Sequence, residues 1–229
     1  MVYKNSQKIL GIDEAGRGCL IGPLVIAGVM TNQETINTFK TLGVTDSKIL
    51  TPSKREELFK KIQELAERIF YIEVEPEEID SRFSSLNNLN SLEINKMAEI
   101  INQTMPNIAV IDAPMVNTEK FKAIVQKNIS HKCEIIAENY ADKNHTIVGA
   151  ASIIAKVIRD QRIREIEQKT GLKVGCGYCH DEETIQFAQK AIEDKNLRKY
   201  LRQSWITFLR IKNENSQKKI SDWNGRKED

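Results

Sequence analysis

Two short, almost wholly apolar runs in this chain each end on a carboxylate. Ile9-Leu10-Gly11-Ile12 leads into Asp13-Glu14, and Ile108-Ala109-Val110-Ile111 leads into Asp112. Runs this short suit strands buried on both faces, since a buried helix needs about ten residues or more. Strands of that kind lie in sheets covered by helices, which constrains the chain to an α/β architecture. If the two strands are neighbours, Asp13 and Asp112 stand at corresponding ends of the sheet, where open α/β sheets place their ligand crevices.

The rest of the pattern agrees. Strands are expected near 8–13, 22–30, 70–74, 107–112 and 132–137, forming a mixed sheet. Helices are expected near 51–69, 78–102, 118–126, 148–169, 183–193 and 197–211, with a polar, frayed end from about Asn213. At 229 residues the chain suits one domain with a small appended lobe. No apolar run approaches a membrane span, and Met1 to Lys8 lack a signal-peptide core, so a cytoplasmic protein is expected. The net charge of +2 neither demands nor excludes nucleic acid, although Lys190 to Asp229 holds eleven Lys and Arg against six Asp and Glu. Four cysteines are too few for a disulfide scaffold. Cys176 and Cys179 form a Cys-x-x-Cys pair, but only the distant His131 and Cys133 stand as further zinc ligands, and independent thiols are expected.

The carboxylates carry the chemistry. Acids at the end of a buried strand are costly to desolvate without a partner. Asp13, Glu14, Asp112 and Asp142, with no histidine or cysteine among them, suit a hard divalent ion rather than zinc. Adjacent strand residues point to opposite faces, so either the first strand ends at Asp13 or Glu14 depends on a bend at Ala15-Gly16. In Gly16-Arg17-Gly18 the glycines let a ligand approach the backbone, and the arginine fork suits a phosphate.

These residues resemble a known family. Gly11 to Gly18, Asp46-Ser47-Lys48, Ile111-Asp112-Ala113 and Ala150 to Lys156 closely resemble the type 2 ribonucleases H (ribonuclease HII). The spacing from Asp112 to Asp142, Gly177-Tyr178 and Arg202 to Trp205 are similar to its archaeal branch. The resemblance implies a ribonuclease H-like fold: a mixed five-stranded sheet flanked by helices, with a C-terminal helical extension. It divides the chain into a catalytic domain over 1–167, a substrate-binding helical region over 168–212 and a flexible tail over 213–229. It implies an endoribonuclease that cuts the RNA strand of RNA–DNA hybrids, and 5′ to single ribonucleotides in duplex DNA. The products are a 3′-hydroxyl and a 5′-phosphate, and two Mg2+ or Mn2+ ions are held by Asp13, Glu14, Asp112 and Asp142. Gly16, Arg17 and Gly18 then surround the ribonucleotide's 2′-hydroxyl and an adjacent phosphate, and Tyr178 packs on the junction sugar. Ser47, Lys48, Ser152 and Lys156 present hydroxyl and ammonium groups to phosphates. Asn144-His145, Gly149 and the cysteines flanking Tyr178 depart from the family pattern.

In the tail, Gln217, Ile220 and Trp223 have the spacing of a sliding-clamp-binding peptide, although Asn224 replaces the usual second aromatic. A monomer is expected. Two other readings stand beside the enzyme: a metal-dependent DNA junction nuclease, which needs no 2′-hydroxyl reader, and a catalytically silent, clamp-recruited hybrid-binding adaptor. The adaptor would have lost at least one carboxylate, and all four are present.

Overall fold

A computed structural model describes Tyr3, Lys4, 6–82 and 88–224, with side chains to residue 215. The chain divides into two compact units. The first takes in Met1–Arg17, Leu24–Val74 and Arg82–Arg159. The second takes in Gly18–Pro23, Glu75–Ser81 and Asp160–Asp229. The division thus falls after Arg159, not at 167, and two earlier segments join the second unit.

The first unit is built on five strands: β1 (Ile9–Ala15), β2 (Leu24–Thr31), β3 (Arg68–Val74), β4 (Ile108–Asp112) and β5 (Glu134–Glu138). Their order is β3-β2-β1-β4-β5. β1 runs antiparallel to β2 and parallel to β4, and β4 runs parallel to β5. The two apolar runs are therefore central neighbours, with Ile12 opposite Ile111. Asp13 and Asp112 follow at the same end of the sheet.

Helices α1 (Gln33–Thr41), α2 (Pro52–Leu65) and α7 (Thr146–Thr170) supply Phe39, Leu58, Ile62, Val148 and Ile154 to a core shared with Val25, Ala27 and Val110. The sequence reading has no counterpart for α1. Its apolar stripe is only Ile36 and Phe39, and Asn32 starts it by accepting the Thr35 amide. α2 begins with Thr51 as cap and Pro52 at its first position, as expected, and ends before β3 rather than at Ile69. α4 (Leu89–Thr104) and α5 (Thr118–Asn128) pack against the strands and each other. A short α6 (Ala141–Asn144) precedes α7. Gly11 is required by a close approach: a Cβ there would lie 2.3 Å from the Ile147 carbonyl oxygen. The start of α7 is thereby seated on β1.

The second unit holds α3 (Pro76–Ser81), α8 (Glu182–Glu193), α9 (Lys195–Arg198), α10 (Ile206–Asn224) and the later part of α7. Leu20, Ile21, Ile163, Phe187, Leu201 and Phe208 share its core. Buried Arg202 donates to the Gly22 carbonyl from Nε and Nη2, at 3.2 and 3.1 Å, and its guanidinium lies over the Trp205 ring. α10 continues through the stretch expected to fray from Asn213. The side chains of Gln217, Ile220 and Trp223 lie outside the described residues. Among the described residues, no helix is long and apolar enough to cross a membrane.

Candidate active site

Asp13 enters from β1, Asp112 from the last position of β4, and Asp142 from α6, four residues beyond β5. One carboxylate oxygen from each lies within 4.8 Å of the others. Asp13 and Asp142 are buried, and Asp112 is half-buried. Asp142 sits in the short helical turn of α6. That turn is anchored by the Ala141 amide, which donates to Asp112 Oδ1 at 3.0 Å. The backbone at Tyr140 is left-handed, with φ of 61°. Asn144 Nδ2 and His145 Nε2 both reach Glu138 Oε2, at 3.4 and 3.1 Å, tying the Asp142 turn to the end of β5.

Glu14 is not in this cluster. β1 stays extended through Ala15, and Glu14 lies outside the 4.8 Å set. Its charge meets those of Glu93 and Arg17 as well as Asp13 and Asp112. The backbone bends at Gly16, whose φ of 85° suits glycine.

Burial and the neighbouring carboxylates set the electrostatics of the cluster. Burial, then the Asp112 charge, pushes the Asp13 carboxyl up to about 7, against the opposing effect of hydrogen bonds from Ser152 and the Glu14 amide. Burial and the neighbouring carboxylates raise Glu14 well above its ordinary value, and burial raises Asp112. Asp142 Oδ1 and Glu14 Oε2 are buried without a hydrogen-bond partner. Orphaned anionic oxygens beside a close set of carboxylates fit a hard divalent cation, and an all-oxygen donor set fits magnesium or manganese better than zinc.

Lys48 Nζ lies 3.4 Å from Asp142 Oδ2. Burial alone would lower the Lys48 pKa, but Asp142, Asp46 and Asp13 outweigh it and raise it. Asp46 accepts the Lys48 amide, and Arg55 donates to the carbonyls of Ser47 and Leu50, which shapes this turn. Gly149 makes room for it, since a Cβ there would lie 3.0 Å from the Thr45 backbone. Ser47 and Ser152 are buried, with their hydroxyls 2.9 Å apart. They brace the turn against α7, each hydroxyl turned toward the other. Lys156 is half-buried one turn further along α7.

Arg17 also departs from expectation. Its Nε donates to both Glu93 oxygens, at 2.8 and 3.1 Å, and Nη2 donates to Asn90 Oδ1 at 2.7 Å. The sequence reading did not single out either partner. The visible signal is Glu93 itself, a charge on the buried stripe of α4 with Met97, Ile100 and Ile101.

In the second unit, the Gly177 carbonyl accepts the amides of Leu20 and Ile21, and Tyr178 bridges to Cys19. The Tyr178 ring comes within 4.0 Å of where a Gly18 side chain would begin. The ring stacks on His180, with centroids 5.7 Å apart. Neither Cys176 nor Cys179 is in a disulfide, and Cys176 Sγ lies 4.0 Å from His180 Nε2. Among the described residues, the three aspartates are the only close set of three or more carboxylate, histidine or cysteine ligands.

The family model for ribonuclease HII matches residues 10–208. This chain belongs to the ribonuclease HII family. A ribonuclease HII from Methanocella arvoryzae is 42% identical over 208 residues, covering 90% of this chain and 92% of its own. The crystal structure of ribonuclease H2 from Pyrococcus horikoshii superposes with a TM-score of 0.83 at 35% identity, covering 90% of this chain and 98% of that one. A structure described as the PCNA:RNase HII complex from Archaeoglobus fulgidus gives 0.79 at 36% identity, covering 86% and 94%. The chain is thus a metal-dependent endoribonuclease that cleaves the RNA strand of RNA–DNA hybrids, on a ribonuclease H-like sheet.

Proposed function

We propose that this enzyme also cuts 5′ to a single ribonucleotide embedded in duplex DNA, leaving a 3′-hydroxyl and a 5′-phosphate. The observation that carries the reading is the cluster of Asp13, Asp112 and Asp142, with an orphaned Asp142 oxygen, on the strand that leads into Gly16-Arg17-Gly18. Asp13, Asp112 and Asp142, with Glu14 alongside, would hold two Mg2+ or Mn2+ ions, and the chemistry such ions would supply is activation of a water and charge stabilisation at the departing 3′-oxygen. Lys48 offsets part of the negative charge and offers an ammonium to the phosphate, as does Lys156. The Ser47–Ser152 pair keeps Lys48 and Asp13 in place. The backbone of the Gly16–Gly18 turn reads the 2′-hydroxyl, both a donor and an acceptor and the group that tells RNA from DNA. Tyr178, held beside Gly18, packs on the sugar.

The test offers a DNA duplex containing one ribonucleotide, with magnesium, to wild type and Asp112→Asn, alongside an all-DNA duplex. Wild type should cut once, on the 5′ side of the ribonucleotide, and the variant should be at least about a hundredfold slower. An intact substrate, or equal cutting by the variant, overturns the proposal. Cutting of the all-DNA duplex would favour a junction nuclease.

Recruitment to a sliding clamp through Gln217, Ile220 and Trp223 is the second part of the proposal. The Archaeoglobus complex supports it, and the test is clamp binding by wild type but not by Trp223→Ala.

A further inference from the structure

We infer that Arg17 is a positioning residue, which ties the Gly16–Gly18 turn to α4 through Glu93 and Asn90, rather than a fork that grips phosphate. The inference rests on the proposed reading of that turn as the recognition element for the ribonucleotide.

Glu93 is fully buried, whereas the Arg17 side chain is 40% exposed. A buried carboxylate with no cation would be strongly unfavourable, so Glu93 holds Arg17 as much as Arg17 holds Glu93. The geometry is directional. Nε and Nη2, the edge of the guanidinium that most readily grips an oxyanion, are spent on Glu93 and Asn90. The two partners are three residues apart on the first turns of α4, so both lie on one face of a single helix. A turn whose glycines leave it conformationally free would sample many shapes, and a reader built from backbone groups needs one. The clamp between the turn and α4 supplies that restraint. Reading then falls to the turn's backbone, and specificity depends on two α4 residues that need not touch the substrate.

The experiment measures kcat and KM on a duplex with one ribonucleotide, across a series of salt and magnesium concentrations. The proteins are wild type, Glu93→Gln, Asn90→Ala, Arg17→Ala and the double variant Arg17→Ala/Glu93→Gln. Asn90→Ala keeps the buried ion pair and guards against a folding defect. KM should rise on the order of tenfold in both Glu93→Gln and Arg17→Ala, the loss expected from a hydrogen bond to a charged group, with kcat little changed. Asn90→Ala should give a smaller rise in the same direction. The double variant should be no worse than either single variant, because one unit has been broken twice. The slope of log(kcat/KM) against log salt should stay at the wild-type value throughout.

If Arg17→Ala flattens that slope by about one while Glu93→Gln is silent, Arg17 contacts phosphate and the inference fails. Additive losses in the double variant overturn it as well. So does a changed magnesium requirement in Glu93→Gln, which would place the action of Glu93 on Glu14. If Arg17→Ala is silent in every measurement, the reading of the turn itself falls.

Discussion

Replacing Asp112 by asparagine should stabilise the metal-free protein while abolishing its activity. Asparagine has nearly the same shape, and its Oδ1 can still accept the Ala141 amide that Asp112 accepts at 3.0 Å. What is lost is one negative charge from a set of carboxylates whose oxygens lie within 4.8 Å of each other. Two unit charges at that distance, at an effective dielectric of 20, repel by about 3 kcal/mol. The displacement of Asp13 from 3.8 to about 7 corresponds to about 4 kcal/mol, with burial the largest part and Asp112 the next. The share removed by the substitution is then about 1 kcal/mol, or roughly 3 °C in Tm for a chain of this size.

The pH dependence has a definite sign. A carboxyl raised on folding binds more protons in the folded state, so wild-type stability falls as pH rises from 3.8 to about 7. Thermal melts in chelator should therefore show Asp112→Asn melting higher than wild type at pH 8. The gap should close at pH 5, where Asp13 carries a proton in the folded protein. Added magnesium should reverse the order at pH 8, because only wild type gains the binding free energy. If the variant melts below wild type in chelator at pH 8, like-charge repulsion does not govern this cluster and the reasoning is wrong.

Met105 ends α4 in the left-handed region, with φ of 53° and an exposed side chain, so Met105→Gly should raise Tm by about 2–4 °C without changing kcat. Gly11→Ala should destabilise by at least about 2 kcal/mol, since its methyl would collide with the Ile147 carbonyl; urea melts measure the loss. Tyr178→Ala should lower kcat/KM on a single ribonucleotide by about tenfold or more, while Tyr178→Phe keeps the packing and loses less; steady-state kinetics on that duplex decide.

Much of the site was legible because burial writes itself into short apolar runs. The strands carrying Asp13 and Asp112 could be recognised as buried on length and composition, and their pairing, which the sequence left as a condition, then sets both aspartates at one end of the sheet. What stayed hidden depends on partners remote in sequence. Nothing near Arg17 announces that Glu93 and Asn90 occupy its donors. Nothing near Ser47 shows that its hydroxyl turns inward to Ser152. α1 was missed because a nine-residue helix with two apolar contacts carries little periodicity. The family resemblance grouped Glu14 with the metal-binding carboxylates, and the alternation of a strand already set it apart from Asp13 in the sequence.

The parallel pairing of β1 with β4 has a kinetic consequence. These two central strands touch although about a hundred residues separate them along the chain, so their contact forms only after a costly loop closure. No local fragment can assemble the Asp13–Asp112 pair. A divalent ion can therefore do little to guide early folding, since its ligands come together only when the sheet is complete. Its effect should fall on unfolding, which it slows by holding Asp13 and Asp112 together once the sheet has formed.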